Sequence, residues 1–316
     1  MTRAACFLSW STAMFLVAPC VAATFEVKKD GDGVTVTADG KLFTRYLMKS
    51  GPKPILWPLV GPTGKEMTRG YPMRDATPDE RRDHEHHRSF WFTHGSVNGA
   101  DFWSEGAKHG DINHREFVKI EGGNNATIVS RNDWIAQGGK KVCEDERSFV
   151  FDANADTRWI DVELTVRASD GPVTFGDTKE GAFGVRVAGA MSVDAKKGGK
   201  IVNSEGHKDG NAWAKRASWV DYFGPVDGEV LGIAIMNHPS SFRYPTHWHV
   251  RTYGLFTANP FGWHDFEGGT ADGTYTLPAG ESMKLRYRIL LHRGDEKEGK
   301  VAESFQQYAT LYRDAK

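Results

Sequence analysis

The chain has 316 residues, with 40 Lys and Arg against 41 Asp and Glu and a formal charge of −1 at pH 7. A balance this close to neutral excludes recognition of nucleic acid or of an acidic membrane through bulk electrostatics. The length is ample for a large hydrophobic core without cross-links, which matters because the chain has only 3 cysteines.

In chain order, Arg3 precedes a largely apolar run, Ala4 to Ala18, that ends in Val21-Ala22-Ala23. A positive start, a short hydrophobic centre and a small-residue cleavage site predict a secretory signal peptide over residues 1–23, too short to serve as a permanent anchor. Pro19 directly before Cys20 argues against a lipoprotein. The expected mature chain, residues 24–316, is exported to the periplasm or secreted as a single β-sandwich domain. It carries a formal charge of −2 once Arg3 is removed. Cys143 alone remains, so no internal disulfide forms and core burial must supply the stability. No later segment has the length and apolarity of a membrane helix, so no membrane partner is expected after export.

Thr24–Val27 and Val34–Thr37 alternate as strands around Asp30-Gly31-Asp32-Gly33, and Asp39-Gly40 turns the chain into a third strand over Leu42–Met48. Residues 49–79 hold six prolines (52, 54, 58, 62, 72, 78) and four glycines (51, 61, 64, 70), which predicts an irregular segment wrapping the sheet. Strand signals return at Arg115–Ile120, Ala126–Trp134, Val142–Phe151 and Arg158–Ala168. They continue at Val173–Phe175, Phe183–Ala188, Val230–Met236, Tyr253–Thr257 and Met283–His292. Ala302, Phe305, Tyr308, Ala309, Leu311 and Tyr312 recur at helical spacing behind Asp295 and Glu296. Many short-spaced strands and one late helix predict an all-β fold, a large antiparallel β-sandwich with a C-terminal helix.

Four of the twelve histidines fall within Arg82–Gly95, between arginines and carboxylates and beside Phe90-Trp91-Phe92. A solvated loop has no need of three aromatics in a row, and a plain core strand does not tolerate such polar density unpaired. The stretch therefore reads as a polar cleft floored by rings, continuing through Asn98-Gly99-Ala100-Asp101-Phe102-Trp103. If extended, His84 and His86 share a face and His87 takes the other. Such a pair can bind a transition metal, but no Cys joins it and no complete ligand spacing is present, so the reading assigns no metal and no cofactor. An unperturbed imidazole already titrates near neutral pH and can do acid–base work alone.

Two further blocks carry chemistry. Gly176-Asp177-Thr178-Lys179-Glu180-Gly181 brackets three charges with glycines at a sheet rim, ahead of Arg186. In the second, after Asn237-His238-Pro239, the alternation of His247, His249 and Arg251 projects all three to one side of a strand. Asn259–His264 follows as a loop placed to close over the same cleft. A Gly-rich phosphate loop, a Gly-x-Ser-x-Gly elbow, Cys-x-x-Cys and His-Glu-x-x-His are all missing, which removes support for nucleotide, serine acyl-transfer and thiol chemistry.

Taken together, Asp83–Arg88, Trp91–Gly95, Asn98–Trp103, Lys179-Glu180-Gly181 with Arg186, Trp219–Tyr222, His238-Pro239, His247–Arg251 and Asn259–Gly262 resemble a bacterial family of exported proteins. That family, a domain of unknown function, carries the label "methane oxygenase". Glu85 stands where its pattern has proline and Ser89 where it has glycine. The label's chemistry does not follow, because a membrane methane oxygenase subunit is built of spanning helices. The resemblance implies a large sandwich similar to galactose mutarotase and other sugar-processing folds.

The expected function is an exported carbohydrate-active enzyme, a glycoside-cleaving hydrolase or lyase or a sugar epimerase, with a carbohydrate or other small molecule as partner. His86 or His87 exchanges the proton and Glu180 is the carboxyl counterpart. Arg88, Arg186 and Arg251 hold anionic or keto groups, and His94, Asn98, His247 and His249 bind hydroxyls above Trp91 and Trp103, with His238 nearby. The alternatives are a non-catalytic glycan-binding protein and a metal-dependent enzyme using the histidine cluster.

Overall fold

The computed structural model describes residues 23–312, so the expected signal segment lies outside the described residues apart from its last position. In chain order the strands are β1 (Phe25–Asp30), β2 (Gly33–Ala38), β3 (Lys41–Ser50), β4 (Lys53–Leu56), β5 (Phe90–His94), β6 (Asp111–Glu121), β7 (Ala126–Ile135), β8 (Lys141–Ala153) and β9 (Thr157–Arg167). They continue as β10 (Val173–Phe175), β11 (Gly181–Arg186), β12 (Lys200–Asn203), β13 (Trp219–Val226), β14 (Glu229–Asn237), β15 (His247–Val250), β16 (Leu255–Asn259), β17 (Tyr275–Leu277) and β18 (Ser282–Arg293). A short helix, α1 (Trp263–Glu267), follows β16, and α2 (Val301–Tyr308) is the C-terminal helix that the apolar spacing predicts.

The strands make two eight-stranded sheets and a separate pair, β10 with β17. The first sheet runs β1-β2-β3-β4-β5-β11-β16-β15 and the second β12-β13-β14-β18-β9-β8-β7-β6. Neighbouring strands pair antiparallel, as between β5 and β11 or β9 and β18. The period-two pattern is visible in β7, where Ala126, Ile128, Ser130, Asn132 and Trp134 are buried and the residues between them are not. Rings from the two inner faces interlock across the sandwich. Phe43 meets Phe151 at 5.5 Å between centroids, Phe92 meets Trp134 at 5.7 Å and Phe183 meets Tyr287 at 4.3 Å. Each fully buried ring of this kind contributes roughly 1.5–3 kcal/mol by leaving water.

The outer faces are used differently. On the second sheet α2 lays Val301, Phe305 and Tyr308 over Trp219, Ala234, Met236 and Leu290. On the first sheet, strand parity turns Trp91 of β5, Gly184 and Arg186 of β11, Leu255 and Thr257 of β16 and His249 of β15 away from the core. Their neighbours Phe92, Phe183, Val185, Phe256 and Trp248 enter it. The outer face of the first sheet carries a polar site over a small aromatic floor. Gly184 is needed there, since a Cβ on it would lie 2.8 Å from the Trp91 indole.

Two sequence expectations are corrected. The segment 49–79 is not wholly irregular, because Lys53–Leu56 pairs as β4 between β3 and β5. The histidine cluster 84–87 is not extended but forms a turn ahead of β5, with His84 at φ +43°. Among the described residues no helix is long and apolar enough to cross a membrane.

One buried pair inside the second sheet bears on stability. His292 on β18 and Asp221 on β13 are fully buried, with Nε2 3.0 Å from the Asp221 carboxyl and Nδ1 3.0 Å from the Arg293 carbonyl. Both ring nitrogens face acceptors, so both carry protons and the ring is an imidazolium. Burial opposes that charge, and the Asp221 carboxylate offsets it enough to raise the His292 pKa above its usual value. His292→Gln leaves Asp221 buried without its counter-ion and is expected to cost about 3–5 kcal/mol in chemical denaturation. A loss below about 1 kcal/mol would show that the pair is not charged.

Candidate functional site

Residues 81–88 owe their shape to one side chain. Arg69 is buried, and its Nη1 donates to the carbonyls of Arg81 (3.2 Å) and Asp83 (2.9 Å) and to Asp83 Oδ1 (2.7 Å). Its Nη2 donates to the carbonyls of His84 (2.8 Å) and His87 (3.2 Å). A buried guanidinium needs acceptors, and the turn supplies them for both terminal nitrogens, while Nε is buried without a partner among the described residues. Asp83 Oδ1 also accepts from Arg186 Nη2 at 2.9 Å, and the two guanidiniums hold its carboxyl below the usual range against the opposing effect of burial. Ser89 leaves the turn at φ +54°, a left-handed conformation that favours glycine.

This turn stacks four rings. Tyr253 and His84 lie parallel at 5.4 Å, His84 and His87 at 4.8 Å, and His87 and Trp91 at 5.3 Å, with interplanar angles of 7°, 2° and 11°. His86 meets His87 edge-on at 4.4 Å, and Trp103 closes against His86 and His87 at 5.9 and 5.5 Å. Arg186 Nη1 donates to His87 Nδ1 at 3.0 Å. A guanidinium has no acceptor, so Nδ1 bears no proton and the neutral His87 ring carries its hydrogen on Nε2. Burial, and then the positive charges around it, keep its pKa well below the ordinary value. His86 is likewise pushed down to about 4 by burial and by Lys53 and His84, with Glu105 and Asp101 opposing.

The turn faces the Lys179–Glu180 rim and the end of β15 across a cleft of about 510 Å³, lined by His84, His86, His87, Gly95, Asp101, Trp103, Ser104, Thr178, Lys179, Glu180, His249, Arg251 and Tyr253. Two lining residues are carboxylic acids. Asp101 is spent locally: Oδ1 accepts from the Trp103 and Ser104 amides at 2.8 and 3.0 Å, and Oδ2 from the Ser104 hydroxyl. Glu180 is half-exposed, and among the described residues its carboxylate has one ion-pair partner, the Lys179 ammonium at 3.5 Å. His249 Nδ1 donates to the Lys179 carbonyl at 2.8 Å, and its Nε2 accepts from Arg251 Nε at 3.1 Å. Burial and Arg251 lower the His249 pKa to about 4. Both its nitrogens are occupied, so it positions Arg251.

Of the residues singled out in the sequence, His86, His87, Glu180, Trp103, His249 and Arg251 share the cleft, with Trp91 and Arg186 directly behind His87. The others do not line it. Arg88 is taken by Glu105, donating Nε at 2.7 Å and Nη2 at 2.6 Å. His94 lies three residues from Trp91, so parity turns it inward between Phe175 and Phe261, where Nε2 donates to the Gly176 carbonyl at 2.8 Å. Asn98 is exposed and ties the Val97–Ala100 turn to Pro172 and Thr174. His247 does share the outer face with His249, but Phe266 stands beside both and His247 Nε2 pairs with Glu267 at 2.9 Å. His238 is on the far side of the sandwich, against Tyr308 and Tyr312 of the C-terminal segment. Asp177 in the same rim is structural, accepting from the His264 and Gly273 amides at 2.9 and 2.5 Å.

The sequence reading assigned no role to Arg69, Asp83, Tyr253 or the buried Lys53–Glu105 pair at 2.9 Å. Asp83 sits within the histidine stretch and was legible there as a partner for arginine, whereas Arg69, Lys53 and Tyr253 carried no local signal. Among the described residues no group of three or more His, Cys, Asp or Glu converges as a metal-ligand set. The rings of His84, His86 and His87 stack on or cross one another instead of pointing their nitrogens at one centre.

A family model described as "Family of unknown function (DUF6807)" matches residues 33–306. No curated protein sequence matches the chain. Similar solved structures include a galactose mutarotase-like protein from Clostridium acetobutylicum, at TM-score 0.45 and 8% identity over 86% of this chain and 99% of that one. Another, from Lactobacillus casei, gives 0.39 and 10% over 85% and 100%. The α-galactosidase from Lactobacillus brevis gives 0.41 and 10% over 87% of this chain, which spans only 40% of the length of that enzyme.

Replacing Arg69 with Met removes its four hydrogen bonds to main-chain carbonyls and its bond to Asp83, leaving Arg186 alone on Asp83 and His87, and is expected to cost about 3 kcal/mol or more. Hydrogen exchange of amides 81–88 should accelerate while β7 to β9 stay protected. Unchanged exchange in the turn would contradict the role given to Arg69.

Proposed function

The chain belongs to the family of unknown function DUF6807, and we propose that it is an exported carbohydrate-active enzyme in which His86 acts as base and Glu180 as acid on a bound sugar. The observation that carries this reading is the meeting, in one cleft, of the His86 imidazole, which burial keeps neutral and which has no side-chain hydrogen bond among the described residues, and the Glu180 carboxyl group, which has only the Lys179 ammonium as a near charge among them. His87 adds a fixed Nε2–H donor suited to a sugar or developing oxyanion oxygen. Tyr253, partly exposed at the cleft, offers ring edge and surface of the kind that packs on pyranose faces, whereas Trp103 is buried.

Glycoside hydrolysis by the common route needs two working carboxyl groups astride the scissile bond. Asp101 has both oxygens engaged, so this cleft supplies one. An imidazole base with a carboxylic acid suits elimination or epimerisation better, since each moves one proton off carbon or oxygen and returns one elsewhere. We therefore place lyase or epimerase chemistry ahead of hydrolysis.

His86→Gln and Glu180→Gln are each expected to lower kcat/KM by about 10²–10⁴ with folding intact. Because the base form of His86 persists down to about 4, the acidic limb of the wild-type profile should fall near that pH and vanish in His86→Gln. Assays on a glycan panel, following unsaturated product and optical rotation, check this. Sugar binding that persists with no turnover in wild type would favour the glycan-binding alternative and end the catalytic reading.

A further inference from the structure

The guanidiniums around the cleft differ in what they have already spent. Arg88 is bound through two donors to Glu105, and Arg69 and Arg186 share Asp83. Lys179 lies near Glu180 and Asp265. Arg251 lines the cleft and, among the described residues, has no acidic partner. It is nevertheless held in place. His249 accepts its Nε at 3.1 Å, its guanidinium lies 4.8 Å over the Trp213 ring, and its backbone closes a tight turn through the Arg251 amide to the Leu255 carbonyl at 2.8 Å. His249 has no freedom to do otherwise, since its other nitrogen is fixed on the Lys179 carbonyl.

A guanidinium whose Nε is tied back and whose face is stacked presents its two terminal nitrogens as a fixed fork. That fork matches the two oxygens of a carboxylate, and its pre-organisation lowers the ordering cost of binding. From this arrangement we propose that Arg251 is the anchor for a carboxylate on the ligand, so that the substrate class is an acidic sugar, a uronic acid unit, rather than a neutral one. The proposal rests on the carbohydrate reading of the cleft and narrows it. His249 and Trp213 are positioning residues in this account: they touch Arg251, not the ligand.

Calorimetric titration of the whole protein with oligogalacturonides and glucuronate-bearing oligosaccharides, each beside its own methyl ester, tests the assignment. Esterification removes the charge and leaves the stereochemistry unchanged. At least one free acid should bind tenfold or more tighter than its ester, and the margin should shrink as salt is raised. Arg251→Gln should abolish the margin between acid and ester, and Arg251→Lys should keep part of it. Esters bound as tightly as acids, or a preference that survives in Arg251→Gln, overturn the anionic subsite and leave the carbohydrate reading standing. Failure of every acid and every ester to bind overturns the acidic-sugar assignment, and the carbohydrate reading falls with it only if neutral oligosaccharides titrated alongside are refused as well. The wild-type comparison decides the matter even where a variant folds poorly.

Discussion

The site depends on how a single buried cation is satisfied. Arg69 offers its terminal donors to four main-chain carbonyls and one carboxylate, all within residues 81–87. A charge sealed from water in that way is tolerable only while the acceptors stay where they are. The turn is consequently fixed at several points at once, and the three imidazoles it carries have little freedom left. Asp83 extends the constraint by serving Arg69 and Arg186 together, and Arg186 in turn sets the tautomer of His87. From one guanidinium to the proton on Nε2 runs a chain of four groups, Arg69, Asp83, Arg186 and His87, joined by three hydrogen bonds. Chemistry placed on a turn thereby gains a rigidity that turns ordinarily lack.

The sandwich supports this by separating its faces. Alternation along β5, β11, β15 and β16 sends every second residue into a core of Phe, Val, Ile and Trp, and every other one to the outer surface of the first sheet. Distant blocks of chain meet there because their strands are neighbours: β5 pairs with β11, β11 with β16 and β16 with β15. The opposite outer face is closed by α2 and is occupied with packing. Burial also acts on the site electrically, since low exposure beside Lys53, Arg186 and Arg251 is what keeps His86, His87 and His249 uncharged. A neutral imidazole donates from one nitrogen and accepts at the other, and its partners decide which is which.

The β-rich class, most of the long strands and the C-terminal helix were legible because period-two and helical spacing are local signals that core burial enforces. The cleft was legible in outline for a related reason: three polar blocks rich in His and Arg cannot all be packing. Individual assignments failed where parity or pairing outranked residue type. His94 looks like its neighbours in sequence but falls on the core side of β5. Arg88 looks like a ligand-binding arginine until Glu105, seventeen residues away, is seen to claim it. Arg69 sits in a proline- and glycine-punctuated stretch with nothing nearby to mark it, and its importance exists only once the turn is folded onto it. The strands β4 and β12 are four residues each, too short for alternation to be distinguished from loop.

The protonation pattern of the histidines tests the account most directly, since geometry dictates it residue by residue. Nitrogen-15 NMR of the imidazoles in ¹⁵N-histidine-labelled protein near pH 6 should show His87 neutral with its hydrogen on Nε2 and His249 neutral with its hydrogen on Nδ1. His86 should also be neutral, and His292 doubly protonated. A charged His87 at that pH, or one with its hydrogen on Nδ1, would mean that Arg186 does not donate to it and that the buried chain from Arg69 to the cleft is not as described.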